Sequence, residues 1–123
     1  MENSRFWQGL DQVVTTSRPI VDRPKGASHP RHPSFVYPLN YGYLEGTRSA
    51  DGDGIDVWFG SLPDRRVTAI ICTVDLDQRD AELKLLLGCT SQEAQTALTV
   101  HNRGSQTGIL IERPLTGGTE FHD

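Results

Sequence analysis

The hydrophobic residues of this chain lie in short runs that are separated by polar, proline-rich and glycine-rich segments. The clearest run is Val67 to Val74 (VTAIICTV), which predicts a buried strand because apolar and β-branched residues fill nearly every position. Val13 to Val21 (VVTTSRPIV) also predicts a strand, in which Pro19 indicates a sheet edge or a break. Three shorter runs predict further strands: Ile55 to Phe59, Leu83 to Leu87 and Ile109 to Ile111.

Helical character is strongest in one internal segment. Ser91 to Asn102 (SQEAQTALTVHN) predicts a helix with Thr90 or Ser91 as its N-cap and Glu93 in its first turn. Gly104 follows the predicted end of this helix, as is typical of a helix C-terminus.

The two ends of the chain predict little regular structure. Residues 1–11 predict a short leader in which Phe6 and Trp7 dock onto the domain as a half-turn of helix. Residues 117–123 (GGTEFHD) predict a loose tail. Five or six strands with one helix predict a single, mainly β (α+β) domain over residues 1–123, built as a small β-barrel with the helix in its C-terminal half.

Residues 22–54 do not fit any regular element. Prolines at positions 24, 30, 33 and 38 and glycines at positions 26, 42, 46, 52 and 54 exclude a regular helix. A compact domain rarely contains so long a connection without a role, so the segment predicts a functional loop system. Phe35, Val36 and tyrosines 37, 41 and 43 supply the apolar anchors that hold it against the core.

Composition narrows the class of protein. The chain has 123 residues, of which 36% are hydrophobic and 23% charged, and this balance is typical of a globular domain. The net charge of -4 argues against a nucleic-acid partner, which favours a basic face, and is compatible with carboxylates that bind divalent cations. Cys72 and Cys89 form no CxxC pair, so they predict reduced thiols and not a zinc site. The sequence shows neither a signal peptide nor a membrane span, which predicts a cytoplasmic protein.

Three carboxylates lie within six residues in the segment ADGDGIDVWF: Asp51, Asp53 and Asp56. Magnesium prefers such oxygen ligands, and the intervening glycines let the backbone turn so that the carboxylates converge. A calcium-binding EF-hand loop is excluded, because Ile55, Asp56 and Leu62 occupy the positions that need an oxygen ligand, glycine and glutamate. A structural hairpin turn rich in Asp and Gly remains an alternative for the motif alone.

A second acidic group follows the buried strand and leads to Lys84; it consists of Asp75, Asp77, Asp80 and Glu82. Taken alone, such a charge run indicates a solvated turn. Two acidic groups at strand ends can also meet at one rim of a barrel. Hydrolysis of a phosphoanhydride needs that arrangement, because cations neutralise the phosphates and activate a water molecule.

Together, FVYPLNYGY and DGDGIDVWF resemble the soluble, metal-dependent inorganic pyrophosphatase family. The signature of that family is aspartate, a small or polar residue, aspartate, proline or glutamate, an aliphatic residue, aspartate and an aliphatic residue. Asp51 to Val57 fits this signature at every position except Gly54, and the tyrosine-rich segment also lies just upstream in the family. Asp77, Glu82 and Lys84 repeat the spacing of a later family motif, with glutamate in place of the usual aspartate.

The resemblance implies a fold and a set of roles. The fold is an OB-like five-stranded β-barrel. Asp53 would help to deprotonate the attacking water, and Tyr41 and Lys84 would bind phosphate. Several magnesium ions would be held by four carboxylates: Asp51, Asp56, Asp77 and Glu82. Asp22, in VDRP, occupies a place where the family has an acidic residue on the metal side, and the sequence leaves that role open.

The chain also departs from the family. A hairpin that carries a lysine and an arginine for phosphate is shorter here, and the segment KGASHPRHPS takes its place. Its Lys25, His29, Arg31 and His32 are candidate phosphate ligands that the sequence cannot rank. A Tyr-Lys pair on the family's C-terminal helix is missing. Here the helix ends with His101, Asn102 and Arg103, which either replace that pair or cap the helix.

These observations favour hydrolysis of inorganic pyrophosphate to two phosphates, with magnesium as the cofactor. Two alternatives stay open at this level. One is hydrolysis of another phosphoanhydride, such as a nucleotide or a short polyphosphate. The other is a non-catalytic, metal-dependent phosphate-binding module. The resemblance also makes a homo-oligomer possible, whereas no membrane partner is expected.

Overall fold

The computed structural model describes residues 2–49 and 52–115 of the chain. The helices of this part are α1 (Glu2–Thr15) and α2 (Ser91–Val100). Its strands are β1 (Arg18–Arg23), β2 (Asn40–Glu45), β3 (Ile55–Phe59), β4 (Val67–Asp75), β5 (Asp80–Leu87) and β6 (Gln106–Glu112). In this part of the chain, no helix is long and apolar enough to span a bilayer.

The six strands form one mixed sheet in the order β1-β2-β3-β5-β4-β6. β3 pairs with β5 in parallel, and the other neighbouring strands pair antiparallel. The edge strands β1 and β6 do not pair with each other in the described sheet, so the sheet is open. The expected mainly β composition is therefore confirmed, whereas the OB-like barrel of five strands with one helix is not.

Each face of the sheet is covered by one helix, and this explains why the sheet need not close on itself. On one face, Trp7 and Val14 of α1 pack with Val57, Ile70 and Leu85. Because side chains alternate along a strand, the neighbouring residues point to the other face. There the helix α2 packs its alanines 94 and 97 against a second cluster that includes Trp58, Ile71 and Leu86.

The helix α1 replaces both the predicted leader and the first half of the predicted strand at residues 13–21. Trp7, Leu10 and Val14 recur at helical spacing, and Trp7 and Val14 are buried against the sheet. Asp11 fixes the helix in place, because its carboxylate accepts hydrogen bonds from the Val67 N–H at 3.0 Å and from the Arg113 guanidinium at 2.9 and 3.0 Å. These tertiary contacts outweigh the strand propensity of the β-branched residues.

The segment 22–54 contains a strand that the sequence did not predict. β2 begins at Asn40 and lies between β1 and β3. Its Gly42 is required by this position, because a Cβ atom there would lie 1.7 Å from the carbonyl oxygen of Ile20 on β1. The strand expected at residues 13–21 is correspondingly displaced to Arg18–Arg23. The remaining residues between β1 and β2 form the β1–β2 loop (residues 24–39).

The other elements agree with the sequence. β3 spans the predicted Ile55–Phe59, and the three other predicted strands lie within β4, β5 and β6. Thr90 is the N-cap of α2: its hydroxyl accepts a hydrogen bond from the Glu93 N–H, and the Glu93 carboxylate accepts one from the Thr90 N–H. The helix ends at Val100, two residues before the predicted end. Both cysteines are free thiols, and the predicted tail at 117–123 lies outside the described residues.

Candidate active site

The strands β2, β3 and β5 bring four of the predicted site residues together on the face that α2 covers. Asp56 of β3 lies beside Lys84 of β5 in the parallel ladder, and Tyr41 of β2 pairs with Trp58 of β3. Glu82 precedes Lys84 by two residues on β5 and so points to the same face. We refer to Tyr41, Asp56, Glu82 and Lys84 as the acidic-lysine cluster.

Lys84 is the centre of this cluster. Its side chain is only 7% exposed, and its Nζ lies 2.8 Å from Asp56 Oδ2 and 2.7 Å from Glu82 Oε1. Burial by itself would lower the pKa of Lys84, but the groups around it, Tyr41, Asp56 and Glu82, offset burial and raise the pKa above its usual range. A buried charge is costly unless it is paired, and here two carboxylates pair it. Lys84 is therefore a fixed positive charge at neutral pH.

Tyr41 covers the cluster from β2. Its phenol interacts with the Asp56 carboxylate and the Lys84 ammonium. Burial, together with the charge of Asp56, raises the pKa of Tyr41 above its usual range, although the charge of Lys84 opposes this shift. The phenol consequently keeps its proton at neutral pH and can donate a hydrogen bond.

Tyr41 is supported from below by Trp58, which is fully buried; the two ring centroids are 4.5 Å apart. The Trp58 Nε1–H donates a 3.0 Å hydrogen bond to Nε2 of His101. Nδ1 of His101 therefore carries the proton, and this N–H donates a 2.9 Å hydrogen bond to Gln106 Oε1. Burial lowers the pKa of His101 to about 4, so the imidazole is neutral and serves as an acceptor for the indole.

A cavity of about 490 Å³ adjoins the cluster, and its lining includes Asp56, Glu82, Thr73 and Arg48. Part of its wall comes from the loop that precedes β3. Hydrogen bonds hold that loop in a tight turn, because Thr47 Oγ1 accepts from the Ile55 N–H at 3.0 Å and both the N–H and the hydroxyl of Ser49 donate to the Asp53 carbonyl. An anion that enters this cavity meets both carboxylates and the Arg48 side chain.

The same loop explains the one departure from the signature motif. A Cβ atom at Gly54 would lie 2.8 Å from the carbonyl oxygen of Leu44 and 3.0 Å from the Tyr43 ring. The loop approaches β2 so closely at this position that any residue other than glycine would require the loop or β2 to shift.

The remaining predicted residues are placed less centrally. Asp51 lies outside the described residues, and Asp53 is exposed in the loop before β3. Asp77 lies in the β4–β5 turn, beyond Asp75 and Asp80, the last paired residues of the two strands. Its N–H donates a hydrogen bond to Asp75 Oδ1. Within residues 2–49 and 52–115, no three His, Cys, Asp or Glu side chains are placed to hold a metal ion together. Of the four predicted ligands, the structure thus brings together Asp56 and Glu82.

These two carboxylates suit magnesium, which usually takes one or two protein carboxylates together with waters and substrate phosphates. Both carboxylates form ion pairs with Lys84 and line the same cavity. A cation in that cavity would share the two carboxylates with the Lys84 ammonium. Asp56 and Glu82 together fit one ion. A second ion would need further ligands from the loop before β3 or from the β4–β5 turn.

Arg23 is a further cation beside the cluster, and the sequence does not predict its role. It is the last residue of β1 and pairs directly with Tyr41 of β2. One terminal guanidinium nitrogen lies 3.1 Å from Asp22 Oδ2, while the buried Nε has no hydrogen-bond partner among the described residues. Asp22, the open candidate for a metal-side residue, is exposed and occupied with this ion pair. Only the cross-strand register, which the sequence does not give, reveals the position of Arg23.

Comparisons with known proteins identify a matching family and a similar fold. The family model described as inorganic pyrophosphatase matches residues 4–113. The crystal structure of an inorganic pyrophosphatase from Neisseria gonorrhoeae is similar in fold, with a TM-score of 0.50 and 16% sequence identity. The match covers 78% of this chain and 79% of that chain. No curated protein matches the chain.

Proposed function

Because the chain belongs to the inorganic pyrophosphatase family, we propose that it hydrolyses inorganic pyrophosphate to two phosphates with magnesium as the cofactor. One observation carries the proposal beyond family membership. The buried Lys84 ammonium is held between the carboxylates of Asp56 and Glu82, beside a phenol and a cavity large enough for a small anion.

The carboxylates have the task of holding divalent cations next to the substrate. Asp56 and Glu82 line the cavity and supply oxygen ligands from two adjacent strands. Asp51 and Asp77 complete the proposed ligand set, as the family resemblance implies. Magnesium held there would neutralise phosphate charge and lower the pKa of a water molecule, so that this water could act as a nucleophile near neutral pH.

Lys84 and Tyr41 act on the phosphate oxygens. The raised pKa of Lys84 keeps its ammonium charged, and its burial keeps water from screening that charge. When the bond between phosphorus and the bridging oxygen breaks, negative charge grows on the leaving phosphate. A positive charge and a phenol O–H that are already in position stabilise this charge without reorganisation.

Asp53 and Arg23 complete the proposed machinery. Asp53 would take a proton from the attacking water, a role that the family resemblance implies and that a carboxylate can perform. Arg23 binds the phosphate on the side of Tyr41, because its buried Nε–H has no partner within residues 2–49 and 52–115 and the two residues are paired across β1 and β2. A phosphate oxygen at this place satisfies that donor, and Arg binds phosphates well through several N–H groups.

Phosphate release from pyrophosphate tests the proposal. The purified protein is assayed with magnesium, after exhaustive chelation, and after magnesium is restored. Release that depends on the cation and returns with it supports the mechanism. Full release after chelation would contradict the metal-assisted step. Metal-dependent binding of pyrophosphate without any release would instead identify the non-catalytic phosphate-binding module.

A further inference from the structure

The β1–β2 loop and its flanking strand residues are strongly basic in an acidic protein. Between Asp22 and Glu45 the sequence has no acidic residue, although the whole chain carries a net charge of -4. Five basic residues lie in this interval: Arg23, Lys25, His29, Arg31 and His32. Arg23, Lys25 and Arg31 carry full positive charges, and such a one-sided distribution of charge attracts anions. The proposed hydrolysis of pyrophosphate uses only Arg23 of this group.

His29 is the centre of the basic group. Its ring centroid lies 5.0 Å from that of His32, and its Nδ1 accepts a 3.0 Å hydrogen bond from the Arg31 N–H. Burial and the charges of His32, Arg23 and Arg31 lower the pKa of His29. Arg23 is paired with Tyr41 across the strands, and its charge contributes to the lowered pKa of His29.

A continuous row of aromatic rings joins His29 to the acidic-lysine cluster. The ring of His29 lies 6.2 Å from that of Tyr37 with nearly parallel planes, and the Tyr37 ring lies 5.7 Å from that of Tyr41. The basic group is thus two ring contacts away from the residue that interacts with Lys84 and Asp56. The basic group therefore lies on the Tyr41 side of the acidic-lysine cluster.

The loop is held in place despite its prolines. The Tyr37 N–H donates to the Ala27 carbonyl and the Gly26 N–H donates to the Tyr37 carbonyl, both at 2.9 Å. The His29 N–H donates to the Phe35 carbonyl at 3.0 Å, and the Arg103 guanidinium lies 5.0 Å above the Phe35 ring. A basic group on such a braced loop is preorganised for binding, so less ordering cost accompanies the arrival of an anion.

We propose that the β1–β2 loop is a second phosphate subsite, which binds the distal phosphate of a substrate with a chain of three or more phosphates. The inference rests on the proposed function, because the same acidic-lysine cluster would cleave the anhydride bond. Water attacks a phosphorus atom, the bridging P–O bond breaks, and the products are two shorter phosphates. Inorganic tripolyphosphate and a nucleoside triphosphate both present this chain, and they differ in the group at its end.

The test compares kcat/KM for tripolyphosphate, ATP and pyrophosphate in the wild type and in the double variant Arg31→Gln/His32→Gln. Both residues are exposed, so the substitutions leave the core intact. We expect kcat/KM for tripolyphosphate to fall by about tenfold or more, as for the loss of hydrogen bonds to a charged group, with less than about a twofold change for pyrophosphate. Arg5→Gln is the matched control, because Arg5 is an exposed cation on α1, which covers the opposite face of the sheet.

Each outcome decides the proposal. If kcat/KM falls for tripolyphosphate but not for ATP, the subsite binds inorganic phosphate chains. If kcat/KM falls for both, the subsite binds a phosphate chain regardless of the group at its end. A third outcome is that the double variant hydrolyses pyrophosphate with the same ratio of kcat/KM between tripolyphosphate and pyrophosphate as the wild type. That result would overturn the subsite and leave the proposed function standing. Failure of the wild type to hydrolyse any of the three compounds would overturn the proposed function as well.

Discussion

The indole N–H of Trp58 donates a 3.0 Å hydrogen bond to Nε2 of His101 beneath the floor of the candidate site. Trp58 in turn lies against the ring of Tyr41, which interacts with Lys84 and Asp56. A residue at the C-cap of α2 is thereby linked to the acidic-lysine cluster through one buried ring. His101 therefore contacts Tyr41 indirectly, through Trp58, and the hydrogen bond to Trp58 can be tested because it requires a neutral imidazole.

The first prediction concerns stability at acid pH. Burial lowers the pKa of His101 to about 4, from 6.5 when it is exposed, so the unfolded chain binds a proton more readily than the folded one. The stabilisation that this gives is complete above pH 6.5 and is lost as the pH falls toward 4. Between pH 7 and pH 4.5, the free energy of unfolding should fall less in His101→Gln than in the wild type. The difference between the two falls should be on the order of 2–3 kcal/mol. Urea unfolding at both pH values measures this difference, and equal losses in the two proteins would contradict a buried neutral imidazole.

The second prediction separates the charge of Lys84 from its packing. Methionine preserves most of the volume of the side chain but removes the ammonium between Asp56 and Glu82. Lys84→Met should lose on the order of 2–4 kcal/mol of transition-state stabilisation in kcat/KM for pyrophosphate, by analogy with the loss of an oxyanion donor. Its melting temperature should rise more on addition of magnesium than that of the wild type, because two unpaired carboxylates then gain a cation.

Arg18→Met is the control for that variant. Arg18 is 78% exposed and its contact with Glu45 is long at 3.8 Å, so its loss should change neither the kinetics nor the melting temperature by much. Unchanged kinetics in Lys84→Met would remove Lys84 from the site and favour the binding-module alternative.

The third prediction concerns Arg23. If its buried Nε–H meets a phosphate oxygen, Arg23→Gln should lower kcat/KM for pyrophosphate by about tenfold to a hundredfold, the usual range for a lost hydrogen bond to a charged group. Arg23→Lys should restore part of this loss, because it keeps the charge but not the planar fork of donors. Thermal melts control for folding. A variant with wild-type kinetics and an unaltered melt would show that Arg23 makes no contact with substrate.

The fourth prediction tests how α1 is attached to the sheet. The Arg113 guanidinium binds both oxygens of Asp11, donates to the Val67 carbonyl at 3.0 Å and lies over the Trp7 ring at 5.8 Å. Arg113→Met should lower the free energy of unfolding by about 1–3 kcal/mol, because it leaves a half-buried carboxylate without its charged partner. Activity below the melting transition should stay near that of the wild type. Urea unfolding gives the first quantity, and a loss of activity without a loss of stability would indicate a different role for this contact.

The sequence predicted those elements whose local signals agree with their tertiary contacts. Ile55–Phe59 is a strand with the predicted bounds, and the capping residues Thr90 and Glu93 gave the start of α2. The β-branched residues of the segment containing Val13 and Val14 predict a strand, whereas the segment is helical. Its helical form depends on Trp7 and on the Asp11–Arg113 contact, whose partners are 102 residues apart. Single-sequence patterns do not encode such distant contacts.

In the candidate site, too, the sequence predicts some relationships between residues and not others. The resemblance of the motifs identified Asp56, Glu82, Lys84 and Tyr41, and the structure places these four side chains together. The position of Arg23 beside Tyr41 depends on strand pairing across Gly42, and the support of Trp58 by His101 depends on the end of α2. Neither relationship has a signature in the sequence. The family resemblance and the number of strands predict a barrel, but they do not reveal that α1 and α2 each cover a face of the sheet.

The most direct test of the central claim is the rate of phosphate release from pyrophosphate by Asp56→Asn over a range of magnesium concentrations. Asparagine is nearly isosteric and leaves Lys84 its contact with Glu82, so the melting temperature without magnesium should stay close to that of the wild type. We expect kcat to fall by on the order of a hundredfold or more, because a carboxylate that holds the cation is lost, and the magnesium-dependent rise in melting temperature to shrink. A folded Asp56→Asn variant with wild-type turnover and an unchanged magnesium response would contradict the proposed active site.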